Sequence, residues 1–309
     1  MLRVMRKAVT MMIGVVVVGL AITACGSGTK HSSTAATTAT ASADPALSKL
    51  LPASIRSAGV VNVATDMPYP PFEFFADESG SKITGFDYDY GQALGQLLGV
   101  RFHFAEQKFD GIIPALQAGR YTITISAMTD TPDRRKVLDF VDYSRAGTAL
   151  MVPKGNPKGI KTVLDLCGRT AALQSGAQQL GFLKTQQPKC KALGKPPINI
   201  AAVPKQSDAQ LMVTSGKADA VMEDTPSGAY EAKTIGNGDV FEIIDDPAAA
   251  GGYDARPTGI GIPKGNQELV NALQKATQAL MDNGTYKKLL DKYGVGAIAI
   301  PTATINGKG

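Results

Sequence analysis

The 309-residue sequence contains no tryptophan, only two histidines and only three cysteines. His31 lies in a polar tract and His103 lies in a predicted strand, so the two imidazoles are far apart in the sequence. Metal sites and acid–base catalysts commonly rely on clustered histidines or cysteines. The composition therefore gives no support for a metal site or for histidine-based catalysis, and we expect no cofactor.

An excess of charge of one sign is also absent. The chain carries 32 basic and 27 acidic residues, and charged residues make up only 19% of it. Arg3, Arg6 and Lys7 lie in a segment that we expect to be removed, which leaves 29 basic residues and a net charge of +2. Such a balance gives no case for nucleic-acid binding. The hydrophobic content of 44% is sufficient for one large domain or two medium-sized domains.

No segment beyond the amino terminus is apolar over 18 residues. At the amino terminus, a basic segment (1–7) precedes an apolar segment (8–20) that is too short for a comfortable membrane span. Small residues then precede Cys25, an arrangement similar to a bacterial lipobox. This resemblance implies a signal peptide over 1–24, lipid attachment to Cys25, and a cell-membrane protein anchored on the extracytoplasmic face. An uncleaved anchor, or an ordinary signal peptide followed by a chance cysteine, is the alternative.

The segment after Cys25 is rich in glycine, serine, threonine and alanine as far as residue 46. A segment of this composition cannot bury a core and is typical of a disordered tether. Some 20 such residues span roughly 25 Å as a flexible coil. We therefore assign residues 25–52 to the lipidated cysteine and a tether that separates the folded part from the membrane surface.

The two remaining cysteines are Cys167 and Cys190. In an exported protein an isolated pair is most simply a disulfide. Closing a loop of this size stabilises the fold by roughly 3 kcal/mol in the chain-entropy model. Two free buried thiols are the alternative.

The stretch 125–142, ISAMTDTPDRRKVLDFVD, combines two local patterns. Residues 121–126 alternate between apolar and hydroxyl side chains, which predicts a half-buried strand. Thr131 and Pro132 are typical of a helix N-cap and first helical position, so we predict a helix start there. Arg134 would then lie beside free backbone N–H groups, where a guanidinium can clamp a carboxylate. A surface arginine on an amphipathic helix is the alternative.

This stretch resembles the ligand-binding segment of the bacterial extracellular solute-binding proteins of family 3, the amino-acid receptors of ABC uptake transporters. In that family, hydroxyl residues at a strand end and an arginine three residues after a capping threonine hold the α-carboxylate of the ligand. The matching residues here are Ser126, Thr129 and Arg134. The resemblance covers about residues 58–294. It implies a two-lobed α/β fold of the type II periplasmic-binding-protein class, with two hinge strands and a ligand cleft between the lobes.

Three further residues of the first lobe correspond to ligand-binding positions of the family. Asp66 follows the predicted strand 60–65 and begins a proline-rich loop, and in the family an acid here faces the ligand side chain. Tyr69 in the same loop corresponds to an aromatic that packs on the ligand, and Phe109 to a second wall around the side chain. A turn-capping aspartate and two core aromatics are the alternatives.

Two short strands predict where the chain passes between lobes. Residues 148–153 and 260–263 are both apolar, end in proline, and are followed by Lys-Gly-Asn. With the family resemblance, we interpret them as the hinge strands, although short turns of this kind can be similar by chance. The predicted lobes are then 53–149 for the first part of lobe one, 150–258 for lobe two, and 259–309 for the return to lobe one and the tail.

The second lobe supplies the other side of the predicted cleft. The segment from Gln174 to Gln178 follows a strand and opens a helix, where backbone N–H groups could meet the ligand carboxylate. The family usually has a hydroxyl residue at this step, whereas Ala177 and Gln178 stand here. Asp224 corresponds to the carboxylate that binds the ligand ammonium, with an exposed strand-end acid as the alternative. We place Glu223 outside the site.

The resemblance implies a monomeric receptor, not an enzyme, that captures a free amino acid and delivers it to an ABC permease. The residues Asp66, Tyr69 and Phe109 favour a polar or basic side chain between aromatic faces, while glutamine, arginine, histidine and acidic ligands remain open. One alternative is a lipoprotein that senses amino acids without transport. Another is an enzyme on the same fold that resembles cyclohexadienyl dehydratase, for which Asp66 or Glu73 would have to act as acid or base.

Overall fold

The computed structural model of the chain describes residues 43–77 and 79–308. The predictions for the signal segment 1–24 and for Cys25 lie outside these residues. The strands, in chain order, are β1 (Val60–Thr65), β2 (Phe74–Phe75), β3 (Ile83–Thr84), β4 (Arg101–Glu106), β5 (Ile123–Thr124), β6 (Leu138–Pro153), β7 (Thr170–Gln174), β8 (Asn199–Val203), β9 (Ala220–Asp224), β10 (Phe241–Ile243), β11 (Tyr253–Pro263) and β12 (Ala299–Ile305).

Helices are interspersed with these strands, as in other α/β folds. They are α1 (Pro45–Ser48), α2 (Ala53–Ala58), α3 (Phe86–Leu98), α4 (Ile112–Gln117), α5 (Gln178–Ala192), α6 (Gln206–Thr214), α7 (Thr225–Thr234), α8 (Gln267–Asp282) and α9 (Thr285–Tyr293). Within the described part of the chain, no helix combines the length and the apolar character that a membrane span needs.

The main sheet has the strand order β4-β1-β5-β11-β6-β9-β7-β8, with β10 and β12 pairing with β6. At one end β4, β1 and β5 are parallel, and at the other end β9, β7 and β8 are parallel. Between these groups β6 and β11 pair antiparallel with each other. β11 also pairs with β5 of the first group, and β6 with β9 of the second. The architecture is the predicted two-lobed α/β fold, in which two strands connect the lobes.

The chain passes between the lobes in parts of β6 and β11 that differ from the predicted hinge segments 148–153 and 260–263. Residues 148–151 pair with β9 of lobe two, and residues 260–263 pair with the start of β6 in lobe one. The connecting ladder joins residues 144–148 to residues 253–258. These residues are mixed in polarity, so no periodic signal marks them. The lobe limits at 149/150 and 258/259 stay a prediction.

Each lobe has its own buried core. Lobe one packs α3 against β4, and α8 against α3, β6 and β12, and its centre is an aromatic cluster of Phe86, Tyr90 and Tyr143. Lobe two buries leucine and methionine side chains from β6, β7 and β9 under α5 and α6. Separate cores allow the lobes to move relative to each other about the two connecting strands.

Gly85 fixes the loop that carries Asp66 and Tyr69, two residues predicted to bind ligand. It precedes α3 with φ of 126°, and a Cβ atom there would lie 2.1 Å from the carbonyl oxygen of Phe72. The backbone N–H groups of Phe86 and Asp87 donate to Pro71 and Phe72 at 2.8 and 2.9 Å. The start of α3 therefore holds the loop that follows β1.

The predicted tether over 25–52 ends earlier than expected. Asp44 caps α1 by accepting from the backbone of Ala46 at 2.8 Å, and its own N–H donates to Leu97 in lobe one at 2.8 Å. Leu51 is buried in the core of lobe one. The composition suggests a polar segment up to residue 46, but it does not reveal that the end of this segment packs on lobe one.

The predicted helix after Thr131 is replaced by a short 3-10 turn, Arg134–Lys136. The N–H of Arg134 does contact the Thr131 hydroxyl at 3.3 Å, as an N-cap would require. The following residues, beginning with Leu138, instead pair with β11 and bury their apolar side chains in the sheet. Tertiary pairing therefore overrides a correct local helix-start signal.

The disulfide prediction is confirmed. Cys167 and Cys190 are bonded, with their Cα atoms 5.5 Å apart. The bond ties the end of the 3-10 turn Val163–Leu166 to the last turn of α5. It therefore secures the rear of the helix whose first turn faces the other lobe.

Candidate functional site

A narrow cavity lies between the two lobes. Its volume is about 20 Å³, roughly the space of one water molecule. All nine residues predicted to bind ligand line it: Asp66, Tyr69, Phe109, Ser126, Thr129, Arg134, Gln174, Gln178 and Asp224. Because the cavity is so small, the lobes have to separate before a molecule the size of an amino acid can enter.

Arg134 contacts both lobes through its guanidinium group. Nη1 donates to the carbonyl of Thr129 at 2.7 Å, and Nη2 donates to the carbonyl of Gly176 in lobe two at 2.9 Å. The guanidinium carbon lies 5.4 Å from the ring centre of Phe109, a cation–π distance. Burial lowers the pKa of Arg134 to about 10, so the side chain stays cationic at neutral pH. It is the one cation in the lining.

The neighbouring arginine has a different environment. Arg135 points away from the cavity and forms an ion pair with Asp130, with Nε and Nη2 at 2.5 and 2.7 Å from its carboxylate oxygens. The 3-10 turn thus directs two adjacent guanidinium groups to different places, and the guanidinium of Arg134 lies in the cleft.

Ser126 connects three elements beneath the cavity. Its hydroxyl accepts the backbone N–H of Asp66 at 2.9 Å and donates to the carboxyl of Glu73 at 2.8 Å. A serine hydroxyl has only one hydrogen. That hydrogen is directed at Glu73 here, and the role of Ser126 toward a ligand carboxylate stays a prediction. The hydroxyl thereby links the strand end at Ser126 to both ends of the loop between Asp66 and Glu73.

Glu73 and Asp87 form a buried carboxyl pair, and the sequence analysis considered Glu73 only as an acid or base of the enzyme alternative. Both side chains are fully buried, and Asp87 accepts the N–H of Ala127 at 2.6 Å and the hydroxyl of Tyr143 at 2.8 Å. Burial and the charge of Asp87 raise the pKa of Glu73 well above its ordinary range. The negative charge of one carboxyl therefore disfavours ionisation of the other.

Ala127 lines the cavity in a strained backbone conformation. Its φ of 44° lies in the left-handed region, which is uncommon for a residue with a Cβ. The hydrogen bond from its N–H to Asp87 supports this conformation. The buried carboxyl of Asp87 thus fixes the turn between Ser126 and Thr129, where the backbone lines the cavity.

Asp224 lies at the end of β9 and faces lobe one. Its carboxylate accepts the Tyr69 hydroxyl at 3.2 Å and the side-chain amide of Gln179 at 2.8 Å. Burial raises its pKa to about 6, although these two hydrogen bonds and the charge of Arg134 act in the opposite direction. A cationic ligand group beside Asp224 would favour its ionised form.

Asp66 and Gln174 also meet between the lobes. The Gln174 amide nitrogen donates to Oδ2 of Asp66 and to the carbonyl of Pro204 at 3.2 Å. Oδ1 of Asp66 is buried and has no hydrogen-bond partner in residues 43–77 and 79–308. Burial raises the pKa of Asp66 to about 6. Oδ1 of Asp66 is one of three lining carboxyl oxygens without a donor among the described residues, with Oε2 of Glu73 and Oε1 of Glu223.

The start of α5 differs in detail from the expected helix opening over 174–178. Ala177 is the N-cap, and its own N–H donates to the carbonyl of Gln174 at 3.2 Å, so the free N–H groups begin at Gln178. The Gln178 side chain donates to the hydroxyl of Thr148 on β6 at 2.7 Å. The larger glutamine thus contacts a connecting strand where the family usually has a hydroxyl residue.

Glu223 lies in the lining, although the sequence interpretation left it out. It is buried and accepts from the amide of Gln206 at 3.2 Å. Burial and the nearby Glu231 raise its pKa well above the ordinary range. Alternation along a strand puts neighbours on opposite faces, but β9 is buried on both faces, so its last two acids both face protein. The acidic side chains in the lining are Asp66, Glu73, Glu223 and Asp224.

Comparison with known proteins identifies the family. Residues 61–296 match the model of the bacterial extracellular solute-binding proteins, family 3. The arginine-binding protein ArgT of Corynebacterium glutamicum is 30% identical over 266 residues, which is 85% of this chain and 83% of that protein. The L-cystine-binding protein TcyJ of Escherichia coli is 27% identical and covers 77% of this chain and 84% of its own length.

Solved structures agree with this assignment. An ancestral arginine-binding protein bound to arginine is 35% identical, with a TM-score of 0.67, and the match covers 76% of this chain and 98% of that one. The ancestral amino-acid-binding protein AncCDT-1, a precursor of cyclohexadienyl dehydratase, is 36% identical with a TM-score of 0.65, covering 78% and 97%. The chain belongs to the bacterial extracellular solute-binding proteins, family 3.

Proposed function

We propose that the chain binds a basic amino acid between its lobes and delivers it to the permease of an ABC importer. The observation that carries this proposal is the buried carboxyl of Asp66, whose Oδ1 has no donor in the described part of the chain. An unpaired buried acceptor costs about 1–3 kcal/mol. A guanidinium or ammonium group on the ligand side chain would supply the donor and the opposite charge.

The remaining charges fit the two ends of a free amino acid. Arg134 is suited to the α-carboxylate because its planar group can make paired hydrogen bonds. Asp224 is suited to the α-ammonium because it is an acceptor on the facing lobe. These two roles use one cation and one anion of the lining. Burial raises the pKa values of Glu73 and Glu223 well above their ordinary range, so the further negative charge of the lining comes from Asp66. That charge favours a ligand with an additional positive charge.

The relatives support the same ligand class. ArgT and the ancestral protein are both named for arginine, whereas TcyJ is named for cystine. Cystine has two amino-acid ends and would place a second carboxylate in the cavity. An acidic lining disfavours that carboxylate, so we favour arginine or lysine over cystine.

Calorimetry with arginine, lysine, histidine, glutamine, glutamate and cystine tests the proposal directly. We expect arginine or lysine to bind at least tenfold more tightly than glutamine or glutamate, because about 1.4 kcal/mol corresponds to tenfold. Asp66→Asn should remove most of this preference, and Asp208→Asn, an exposed aspartate on α6, serves as the matched control. Tighter binding of glutamate or cystine than of any basic amino acid would refute the ligand class.

Delivery to a permease and attachment to the membrane are the wider parts of the proposal. We propose a monomer that is held on the extracytoplasmic face by lipid on Cys25 and presents its closed form to a transmembrane permease. Uptake of radiolabelled arginine by a strain that lacks this gene should fall and should recover on complementation. Unchanged uptake together with measurable binding would favour a sensor. Conversion of the bound amino acid to a product would favour a dehydratase-like enzyme.

A further inference from the structure

A second cavity lies between the lobes and shares no lining residue with the ligand cleft. Its volume is about 450 Å³, within the range of small-molecule sites. One wall comes from lobe one, from Pro71, Arg145 and the turn at 293–298, and the other comes from α7 and Gly251 of lobe two. A molecule in this space would contact both lobes.

The floor and walls of this cavity are mainly apolar. Pro71, Val295 and Ile298 are buried beneath it. Two tyrosine rings add aromatic surface, and both are held in place. The hydroxyl of Tyr293 donates to Asp89 at 2.5 Å, while the ring of Tyr230 packs on Phe74 with centres 6.1 Å apart. The cavity is therefore preorganised for a flat apolar group.

The charge of this cavity is opposite to that of the ligand cleft. Arg145 and Lys233 are the charged residues of its lining, and both are cations. Over residues 43–77 and 79–308, neither forms an ion pair. Nη2 of Arg145 donates to the carbonyl of Ala255 at 2.7 Å, which orients the guanidinium and leaves its other N–H groups free. Two cations without anions, above an apolar floor, favour an anionic ligand.

We propose that this second cavity binds a small aromatic anion, a molecule with one carboxylate or sulfonate and a flat apolar body. The anion would contact Arg145 and Lys233, and the rings would lie on the apolar floor between Tyr230 and Tyr293. The cationic lining makes it unsuitable for a basic amino acid. The two cavities therefore select ligands of opposite charge and do not compete for the same molecule.

Fluorescence titration with 1-anilinonaphthalene-8-sulfonate tests this site in the folded protein. The uncharged analogue N-phenyl-1-naphthylamine has the same ring system and serves as the matched probe. We expect one saturable site for the sulfonate and at least about fivefold weaker binding of the analogue, as expected for the loss of a charge-assisted contact. Arg145→Gln and Lys233→Gln should each weaken sulfonate binding by about threefold to tenfold.

Three controls make the result decisive. Arg120→Gln and Lys275→Gln remove exposed cations elsewhere and should leave sulfonate binding unchanged. Ala229→Phe should fill the cavity and abolish binding, while circular dichroism checks that the variant folds. Saturating arginine should not displace the sulfonate. Displacement by arginine, equal binding of the two probes, or unchanged binding in the Arg145→Gln/Lys233→Gln double variant would each overturn the proposal.

Discussion

The phenol oxygen of Tyr69 lies 3.2 Å from Oδ2 of Asp224 and 3.1 Å from the backbone nitrogen of the same residue. The two residues belong to different lobes, so this hydroxyl both donates and accepts across the cleft. Gln174 and Asp66 make a second contact between the lobes, and Lys205 and Glu106 make a third at 3.3 Å. The described conformation is therefore held closed by polar contacts on both sides of the cavity.

Tyr69→Phe should weaken amino-acid binding by about fivefold to tenfold. The ring and its stacking on Phe72 are kept, but the closed form loses a hydrogen bond and leaves a buried acceptor on Asp224. Calorimetry on the preferred amino acid measures the change. Tyr121→Phe removes an exposed hydroxyl in lobe one and is the control. Equal affinity of Tyr69→Phe and the unmodified protein would show that this contact does not contribute to closure.

Arg134→Ala should weaken binding by roughly a hundredfold or more, because a charge-assisted hydrogen bond contributes about 1.5–3 kcal/mol. Arg134→Lys should also bind poorly, since an ammonium cannot make the paired contact of a guanidinium. Arg135→Ala is the matched control, because that side chain is paired with Asp130 outside the cleft. The same calorimetric assay applies. Comparable losses for Arg134→Ala and Arg135→Ala would contradict the assignment of the clamp.

The affinity for a basic amino acid should fall as the pH falls through about 6. Burial raises the pKa of Asp66 and of Asp224 to about 6 in the closed conformation without ligand, and both must be ionised to bind cationic groups. The cationic groups of a bound ligand lower these pKa values. The affinity should therefore reach its full value above pH 6. Below pH 6 it should decrease by up to about tenfold per pH unit for each of the two carboxyls. Calorimetry from pH 4.5 to 8 should show this, with a shallower slope for Asp66→Asn. A flat profile down to pH 5 would exclude it.

Glu73→Gln should make the stability of the protein less dependent on pH. The pKa of Glu73 is higher in the folded state than in the unfolded chain, so the folded state binds more protons between these two values. Stability therefore falls as the pH rises from about 4.5 through the folded pKa. Glutamine keeps a donor toward Asp87 and has no proton to lose. Urea unfolding between pH 5 and 9 tests this, with Glu268→Gln, an exposed residue, as the control.

Cys25→Ser should release the protein from the membrane fraction, since lipid attachment requires the cysteine sulfur. Cell fractionation followed by immunoblotting measures the distribution. The disulfide between Cys167 and Cys190 offers the control, because Cys190→Ser should change stability and leave the protein membrane-bound. Complete retention of Cys25→Ser on the membrane would contradict the lipoprotein prediction.

The sequence predicts the individual pieces of the site better than their arrangement. Asp66, Gln174 and Asp224 all lie at or directly after strand ends, where α/β proteins place ligands, and periodicity is enough to locate those ends. The structure then brings the three together from both lobes. Their pairing, such as Gln174 with Asp66, depends on how far the cleft closes, and no local pattern encodes that.

The Glu73 and Asp87 pair could not be predicted from local signals. Glu73 follows three prolines in a loop, and Asp87 lies in the first turn of a helix, where an acid is ordinary. Their contact depends on the close approach of Gly85 to Phe72. The turn at Arg134 shows the converse, because its helix-start signal is present and the adjoining strand still pairs with β11.

The pairing of β5 with β11 also has a consequence for the order in which the chain folds during synthesis. Lobe one is built from both ends of the described chain, since its core contains Val61 as well as Ile298. Most of lobe two is one continuous segment, so its contacts can form once that segment has been synthesised. A chain made from its amino end should therefore complete lobe two first, while the early half of lobe one waits with an open sheet edge beside β5. We expect chaperone binding and aggregation to compete with folding at this unpaired edge.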